Sequence, residues 1–525
     1  MEESYLTVAR TGDLESAQDR FVYRVFEILP GALAWGTFLV AILGSWLLPV
    51  WTSFFVIALV IFWLVRTIYL SLHLKAGYQK MREYEKANWK TKLEELRPEE
   101  YTLENTNWKD IYHLVVIPAY TESVEILRDT ISAIKQSDYD NKKLIVVLGM
   151  EERAQESQER AEILKKEFGD TFFRFLVTSH PANIEGELAG KGSNETYATK
   201  RAKEEIIDVL SIPYKNIIVS SLDADTVIAE KYFSCLTYHY LTTEDPLHTS
   251  FQPIPLFTNN IWQAPAISRI FAFSSTFWHT MNQQRPEKLV TFSSHSMSFQ
   301  ALVGVGFKQV NVVSDDSRIF WQCLLHYEGR YYVQPLSYPL SMDANVGPNL
   351  KTTIVNMYKQ QRRWAYGAEN IPYFFFGLWK GSKVPLRRKI ALGWELIEGN
   401  WSWSTASILI FALGWLPLFL GGTEFSQTLL SYNLPRFISW ILTISMLGLI
   451  TSIYLSLRLL PTRPASYGRK RMIVFVLQWA LLPVSMVFFA LPSLEAQTRL
   501  MFKKYLGFWT TPKYRDEVTP SEASL

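Results

Sequence analysis

Three kinds of hydrophobic pattern follow one another along this chain. Two unbroken apolar runs come first, at about Leu33–Val50 and Ser53–Leu72. At about 1.5 Å per helical residue each covers roughly 30 Å, the thickness of a bilayer core. The link between them has no Lys or Arg, while Arg20, Arg24, Lys75, Lys80 and Arg82 flank the pair. That asymmetry predicts a membrane hairpin with both ends in the cytosol and Arg66 snorkelling to the interface. Residues 75–100 are charged at helical spacing and read as a linker helix.

From Tyr112 the pattern becomes short apolar runs alternating with amphipathic stretches. Strands are predicted at Tyr112–Tyr120, Lys143–Leu148, Phe172–Val177, Ile217–Ser221 and His248–Gln252. Helices are predicted at Ser123–Gln136, Glu151–Phe168 and Ser193–Val209. Such alternation implies a mostly parallel, doubly wound α/β sheet, whose ligands bind beyond the carboxyl ends of the strands. Pro118-Ala119-Tyr120-Thr121-Glu122 and Asp223-Ala224-Asp225 both fall at such ends.

After about Tyr338 a third regime begins. Thr352–Gly367 is amphipathic, with Lys359, Arg362 and Arg363 on one face, suited to lying along a membrane surface. Lys380–Lys389 is strongly basic, and apolar runs return at Ser402–Leu420 and Arg436–Leu457. Arg458, Arg463, Arg469, Lys470 and Arg471 put the next loop inside. The last run, Met472–Leu491, holds Pro483 at its middle and has basic residues on both sides, which favours a broken, re-entrant or interfacial segment.

Composition fits this division. At 525 residues the chain is too long for one core, and its 18 Trp and 48% hydrophobic content exceed ordinary soluble usage. A net charge of +3 argues against a nucleic-acid partner. Cys235 and Cys323 are the only cysteines and the eight histidines lack ligand spacing, so neither a disulfide framework nor zinc is expected. Residues 1–30 lack the features of a secretory signal.

Candidate chemistry centres on Asp223 and Asp225. On an extended chain these carboxylates point the same way, about 7 Å apart, and repel unless a cation lies between them. Mg²⁺ carrying phosphate oxygens suits that slot, although Asp225-Thr226 also reads as a cap on a helix starting near Val227. Ser314-Asp315-Asp316 similarly reads as a helix cap or as a carboxylate site. Gln360-Gln361-Arg362-Arg363-Trp364 joins a guanidinium fork for phosphate to an indole face for a sugar ring, or else anchors an interfacial helix. Gly190-Lys191-Gly192-Ser193-Asn194 departs from a Walker loop and leaves one cation at a helix start, a minor diphosphate contact or a solvated turn. Aromatics at Trp262, Phe271, Phe273, Phe277 and Trp278 offer either an acceptor wall or a helix core.

Taken in order, these segments resemble the motif set of membrane-embedded family-2 glycosyltransferases related to cellulose, chitin and hyaluronan synthases. The resemblance covers about 112–513, and Phe508-Trp509-Thr510-Thr511-Pro512-Lys513 looks like the FxVTxK segment of bacterial cellulose synthases with Thr for Val. It implies an α/β GT-A (Rossmann-like) domain plus an α-helical transmembrane region, and inverting transfer from a nucleoside diphosphate sugar. The acceptor would be a saccharide or a lipid-linked molecule at the cytosolic membrane face, with membrane lipid as a further partner. Asp223 would serve the diphosphate and metal, Asp225 the metal directly, either Mg²⁺ or Mn²⁺, and Asp316 the general base. Gln360, Arg363 and Trp364 would form the clamp and acceptor platform, with Glu122, Lys191, Thr511 and Lys513 facing the donor. Where the family has Asp-Asp after its second strand this chain has Glu151-Glu152, so Glu151 is assigned to the nucleotide.

The implied division is a cytosolic segment at 1–30, a transmembrane hairpin at 31–73 and a linker helix at 74–110. The transferase domain follows at 111–340, then interfacial helices at 341–400 and two transmembrane helices at 401–460. Residues 461–515 hold the basic loop, a re-entrant or third C-terminal span and the FWTTPK segment, before a disordered tail at 516–525. The chain stops just after that segment, which argues against secretion of a long polymer. Single-sugar transfer to a polyprenyl phosphate or glycolipid is one alternative. A catalytically silent nucleotide-binding scaffold or transport component is another.

Overall fold

A computed structural model of the chain describes residues 4–104, 106–464 and 467–515. Eight strands form one sheet: β1 (Tyr112–Pro118), β2 (Leu144–Glu151), β3 (Arg174–His180), β4 (Ile217–Ser221), β5 (Val227–Ile228), β6 (Thr249–Leu256), β7 (Ser296–Ser298) and β8 (Tyr332–Ser341). Their order is β3-β2-β1-β4-β7-β6-β8-β5. All five expected strands are present. Side chains alternate between two cores: Val115, Ile117, Val146 and Ile218 enter one, and Leu114, Val116, Val147 and Val219 the other. Burial of both faces is why these strands read as continuous apolar runs rather than alternating ones.

Half of the sheet departs from the parallel expectation. β3, β2, β1 and β4 run parallel, but β7 is antiparallel to β4 and β6, and β5 is antiparallel to β8. β6 and β8 pair in parallel with a register shift between Gln252 and Ile254, flanking Pro253, which has no N–H for the ladder. The parallel half places Glu151 at its carboxyl edge and Glu122 and Asp223 just past it. No helix starts near Val227, because Val227–Ile228 is a strand, so Asp225 is not a helix cap. The predicted helix Ser193–Val209 begins earlier, at Lys191, and runs to Ala202 before a π turn at Lys203–Ile207.

Among the described residues, four helical segments are long and apolar enough to cross a membrane: Ala17–Leu47, Pro49–Lys86, Leu429–Leu459 and Lys470–Met501. They turn bulky apolar side chains outward, with Trp51 72%, Trp440 71% and Val484 72% exposed. The first starts at Ala17, inside the expected polar segment, capped by Ser16. The second continues to Lys86 and absorbs much of the expected linker. The expected span at Ser402–Leu420 is not among the four, because helix Leu386–Leu413 ends there and carries Glu395 and Glu398 in its first half. The last segment is broken as Pro483 suggested, by a 3₁₀ turn at Gln478–Leu481, yet its helices together are long enough to cross. Arg66 does not snorkel; it pairs with Glu398 and lies over Trp63.

Helix Leu350–Ala365 does not lie free on a surface either. Its Arg362 pairs with Glu495 of the last apolar helix at 2.7 Å, and Gln360 and Gln361 are buried. The ends of the chain also meet. Glu27, fully buried in the first apolar helix, accepts hydrogen bonds from Thr11 at 2.7 Å and from Tyr505 at 3.0 Å. Arg24 donates to the carbonyl oxygens of Leu500 and Met501. Residues 516–525, expected to be disordered, lie outside the described residues.

Candidate active site

Beyond the carboxyl end of β4 the backbone turns through Leu222–Thr226 and sets two acids in different surroundings. Asp223 Oδ1 receives Lys191 Nζ at 2.6 Å and its Oδ2 receives Ser293 Oγ at 2.5 Å. Lys191 stands at the start of helix Lys191–Ala202 and also donates to both oxygens of Asp316, at 2.8 and 3.0 Å. One ammonium therefore ties the turn after β4 to the entrance of helix Asp315–His326. Burial alone would push the Asp316 carboxyl up, but Lys191 and Lys308 outweigh it and hold it well below the usual carboxylate range. Asp223 is likewise lowered: burial alone would raise it, but Lys191 and Lys513 together prevail.

The entrance to that helix lacks a side-chain cap and is held by other contacts. Ser314 makes no side-chain cap bond; its hydroxyl donates to Glu369 at 2.7 Å, and the same carboxylate accepts from the Val313 and Ser314 amides. Arg318 is fully buried and donates to Asn370, Gln309 and the carbonyl oxygens of Val8 and Glu369, which fixes the helix from behind. Asp315 points inward, and burial followed by repulsion from Asp316 pushes its carboxyl up to about 7.

Asp225 is fully buried. Its Oδ2 accepts from Lys513 Nζ at 2.5 Å and from the Asp343 amide at 2.9 Å, while its Oδ1 has no partner. Burial, together with Asp343 and Asp223, raises its pKa against the opposing pull of Lys513. Glu122 lies within electrostatic reach of Lys513 and Asp225, and burial raises its pKa too. Lys513 arrives on a segment that passes directly over the Gly190 loop. A Cβ on Gly190 would come 2.5 Å from Phe508 Cγ, so only glycine admits the Phe508 ring there. Arg363 also lies over that ring, 4.9 Å from its centre, within reach of the Asp223, Asp315 and Asp316 charges. Thr511 is buried with an unpartnered hydroxyl.

The structure thus gathers Asp223, Asp316, Lys191 and Arg363 in one place, with Asp225, Glu122 and Lys513 beside them. Gln360 and Trp364 project elsewhere from the same helix. Gln360 accepts from Asn345 at 3.0 Å, and the Trp364 ring packs 5.5 Å from Phe271 and 6.2 Å from Phe257. Among the proposed acceptor aromatics, Phe273 and Phe277 pack on Trp479 and are core, while Trp262, partly buried, packs on Tyr467 at the edge of the same cluster. Glu151 is buried against Arg153, whose guanidinium lies 4.6 Å from the Tyr120 ring centre; among the described residues no hydrogen bond joins it to Asp223 or Asp316.

Sequence reasoning missed Lys308. Its ammonium is buried and donates to Ser221 Oγ at 2.8 Å, Glu195 at 2.9 Å and Asp316 at 3.1 Å, using all three protons. One signal was available, since it is the only Lys, Arg, Asp or Glu between Lys288 and Asp315. A lone charge in such a stretch is buried against a partner.

Two places are rich enough in acid to be tested for a divalent cation. Oxygens of Glu195, Asp315 and Asp316 lie within 4.8 Å of one another, but Lys308 already bonds two of those residues. The buried, unpartnered Oδ1 of Asp225, with Asp223 nearby, is the better fit for Mg²⁺ or Mn²⁺.

No protein-family model and no curated protein matches the chain. Among solved structures, the mannosyltransferase PcManGT from Pyrobaculum calidifontis, in complex with GDP-Man and Mn²⁺, is 12% identical at a TM-score of 0.44, covering 86% of this chain and 100% of its own. S. aureus TarS 1-349 in complex with UDP is 10% identical at 0.34, covering 66% of this chain and 91% of its own. GalNAc-T7 with UDP, GalNAc and Mn²⁺ is 11% identical at 0.32, covering 57% and 58%.

Proposed function

We propose that the chain is a membrane-bound inverting glycosyltransferase of the GT-A type. It would move a sugar from a nucleoside diphosphate sugar to a saccharide or lipid-linked acceptor at the inner membrane face. The observation that carries this reading is the meeting of Asp223, Asp316, Lys191 and Arg363 from four separate segments beside an unpartnered Asp225 oxygen. A binder of nucleotide needs cations for the diphosphate but has no use for a carboxylate base among them.

In this mechanism the donor diphosphate takes Lys191 and Arg363 as counter-charges, with the Arg363 guanidinium supported by the Phe508 ring. Asp225 with Asp223 would hold Mg²⁺ or Mn²⁺, which when bound supplies further positive charge to the departing diphosphate. The acceptor hydroxyl oxygen bonds to the anomeric carbon as the bond from that carbon to the diphosphate oxygen breaks. The bonding pair leaves with the diphosphate, and the hydroxyl proton passes to an Asp316 carboxylate oxygen. Drawing Lys191 toward the diphosphate removes one of the two ammoniums that lower Asp316, which makes the carboxylate a stronger base when the donor is in place.

The test is transfer from labelled nucleotide sugars by the full chain in detergent. Asp316→Asn should lower the rate by about 10²–10⁴-fold while donor binding persists. Unchanged transfer removes Asp316 from the role, and nucleotide binding without turnover on any donor overturns the enzyme reading.

A further inference from the structure

The first and last apolar helices and helix Leu350–Ala365 enclose an open groove of about 460 Å³. Trp35, Leu491, Leu494 and Phe502 form its apolar side, and Arg499 and Lys504 its polar rim. Glu495 is the one acid lining it, and that carboxylate is already shared by Arg499 at 2.7 Å, Arg362 at 2.7 Å and the Tyr358 hydroxyl at 2.8 Å. One negative charge faces three positive ones, and among the described residues no carboxylate is paired with Lys504. The rim therefore keeps a surplus of positive charge beside an apolar wall.

The depth of the groove says what would fill it. Leu491 ends the last apolar run and Trp35 lies near the start of the first, so the groove straddles the level where the spans give way to basic flanks. Trp35 is half-exposed and its indole N–H donates to Thr498 Oγ1 at 2.9 Å, the posture of a ring at a bilayer–water boundary. An acyl chain suits the wall and a phosphate monoanion suits the rim. A choline headgroup would set a further cation against a rim that already has too many.

We propose that this groove is a binding site for an anionic phospholipid of the bilayer, its phosphate on Arg499 and Lys504 and its acyl chain along Trp35, Leu491 and Leu494. The site is independent of the sugar-transfer reading and depends only on the apolar helices spanning a membrane. Tyr358 and Arg362 belong to the helix that carries Arg363, so the lipid leans on an element of the candidate active site.

The test is lipid retention by the purified full chain, delipidated in detergent and offered phosphatidylglycerol and phosphatidylcholine in equal amounts, read by native mass spectrometry. The wild type should retain phosphatidylglycerol in preference. Lys504→Gln, at an exposed and unpaired position that leaves the fold intact, should weaken that retention about five-fold, and adding Arg499→Gln should weaken it by a similar factor again. Equal retention of the two lipids, or retention unchanged in Lys504→Gln, overturns the proposal. So does displacement of phosphatidylglycerol by inorganic phosphate at matched concentration, since the rim alone would then be the site.

Discussion

Lys513 and Asp225 form an ion pair at 2.5 Å although 288 positions separate them along the chain. The ammonium lies on one oxygen of a fully buried carboxylate whose other oxygen has no partner. Lys513→Met should therefore leave a buried charge uncompensated and cost about 3–5 kcal/mol of stability. A divalent cation replaces the lost charge, so the Mn²⁺-induced rise in unfolding temperature should be larger in the variant than in the wild type. Thermal unfolding in detergent with and without Mn²⁺ checks both parts; equal shifts would take Asp225 out of metal binding.

Lys308 is predicted to matter as much as the acids it joins. Lys308→Met strands the buried Glu195 carboxylate and leaves Asp316 with Lys191 as its remaining ammonium, with an expected loss of about 3–5 kcal/mol. Adding Glu195→Gln removes the stranded anion and should recover part of the loss. Denaturant midpoints for the single and double variants give the coupling directly.

Opposed shifts at Asp315 and Asp316 set the pH dependence. Asp315, pushed up to about 7 from an unfolded value of about 3.9, takes up a proton in the folded chain first, so its share of stability grows as pH falls from about 7 to about 4. Asp316 is held low, so its share is present above about pH 4 and is lost as pH falls toward its folded value. Asp315→Asn should flatten the limb between about pH 4 and 7 and leave the acid limb in place. Unfolding midpoints across that range decide it.

Gly190→Ala tests the packing of the C-terminal segment. The added methyl would lie 2.5 Å from Phe508 Cγ and 2.7 Å from its Cβ, atoms too near the backbone to swing aside. The segment must lift and carry Lys513 off Asp225. Proteolysis at residues 503–513 should accelerate and transfer should fall, with helix content by circular dichroism unchanged.

Much of the candidate site's placement was legible because its residues are charges at the ends of apolar runs. Asp223 follows Ile217–Ser221 and Glu122 follows Tyr112–Pro118, and β-branched runs of that kind leave little choice but a buried strand. The antiparallel half of the sheet was not legible. β7 is Ser296-Met297-Ser298, three residues held by ladder bonds and by the Ser220–Ser296 hydroxyl contact at 2.8 Å, with no apolar run to announce it. β8 carries prolines that argue locally against a central strand, and β6, expected only as far as Gln252, continues past Pro253 through a register shift that only the partner strand reveals. The QxxRW-like stretch shows a third kind of limit: its spacing put Gln360, Arg363 and Trp364 on one helix, but only tertiary packing turns Arg363 toward the acids and Trp364 toward Phe271.

The segment that brings Lys513 to Asp225 follows the four long apolar helical segments found among the described residues, and its root is pinned to Glu27 and Arg24 of the first. During synthesis the pocket consequently stays unfinished until the last of these four has been made and has docked against the first. A ribosome-bound or truncated product would carry the acids without this lysine. Docking of the first and last of these helices is thereby a precondition for a complete pocket.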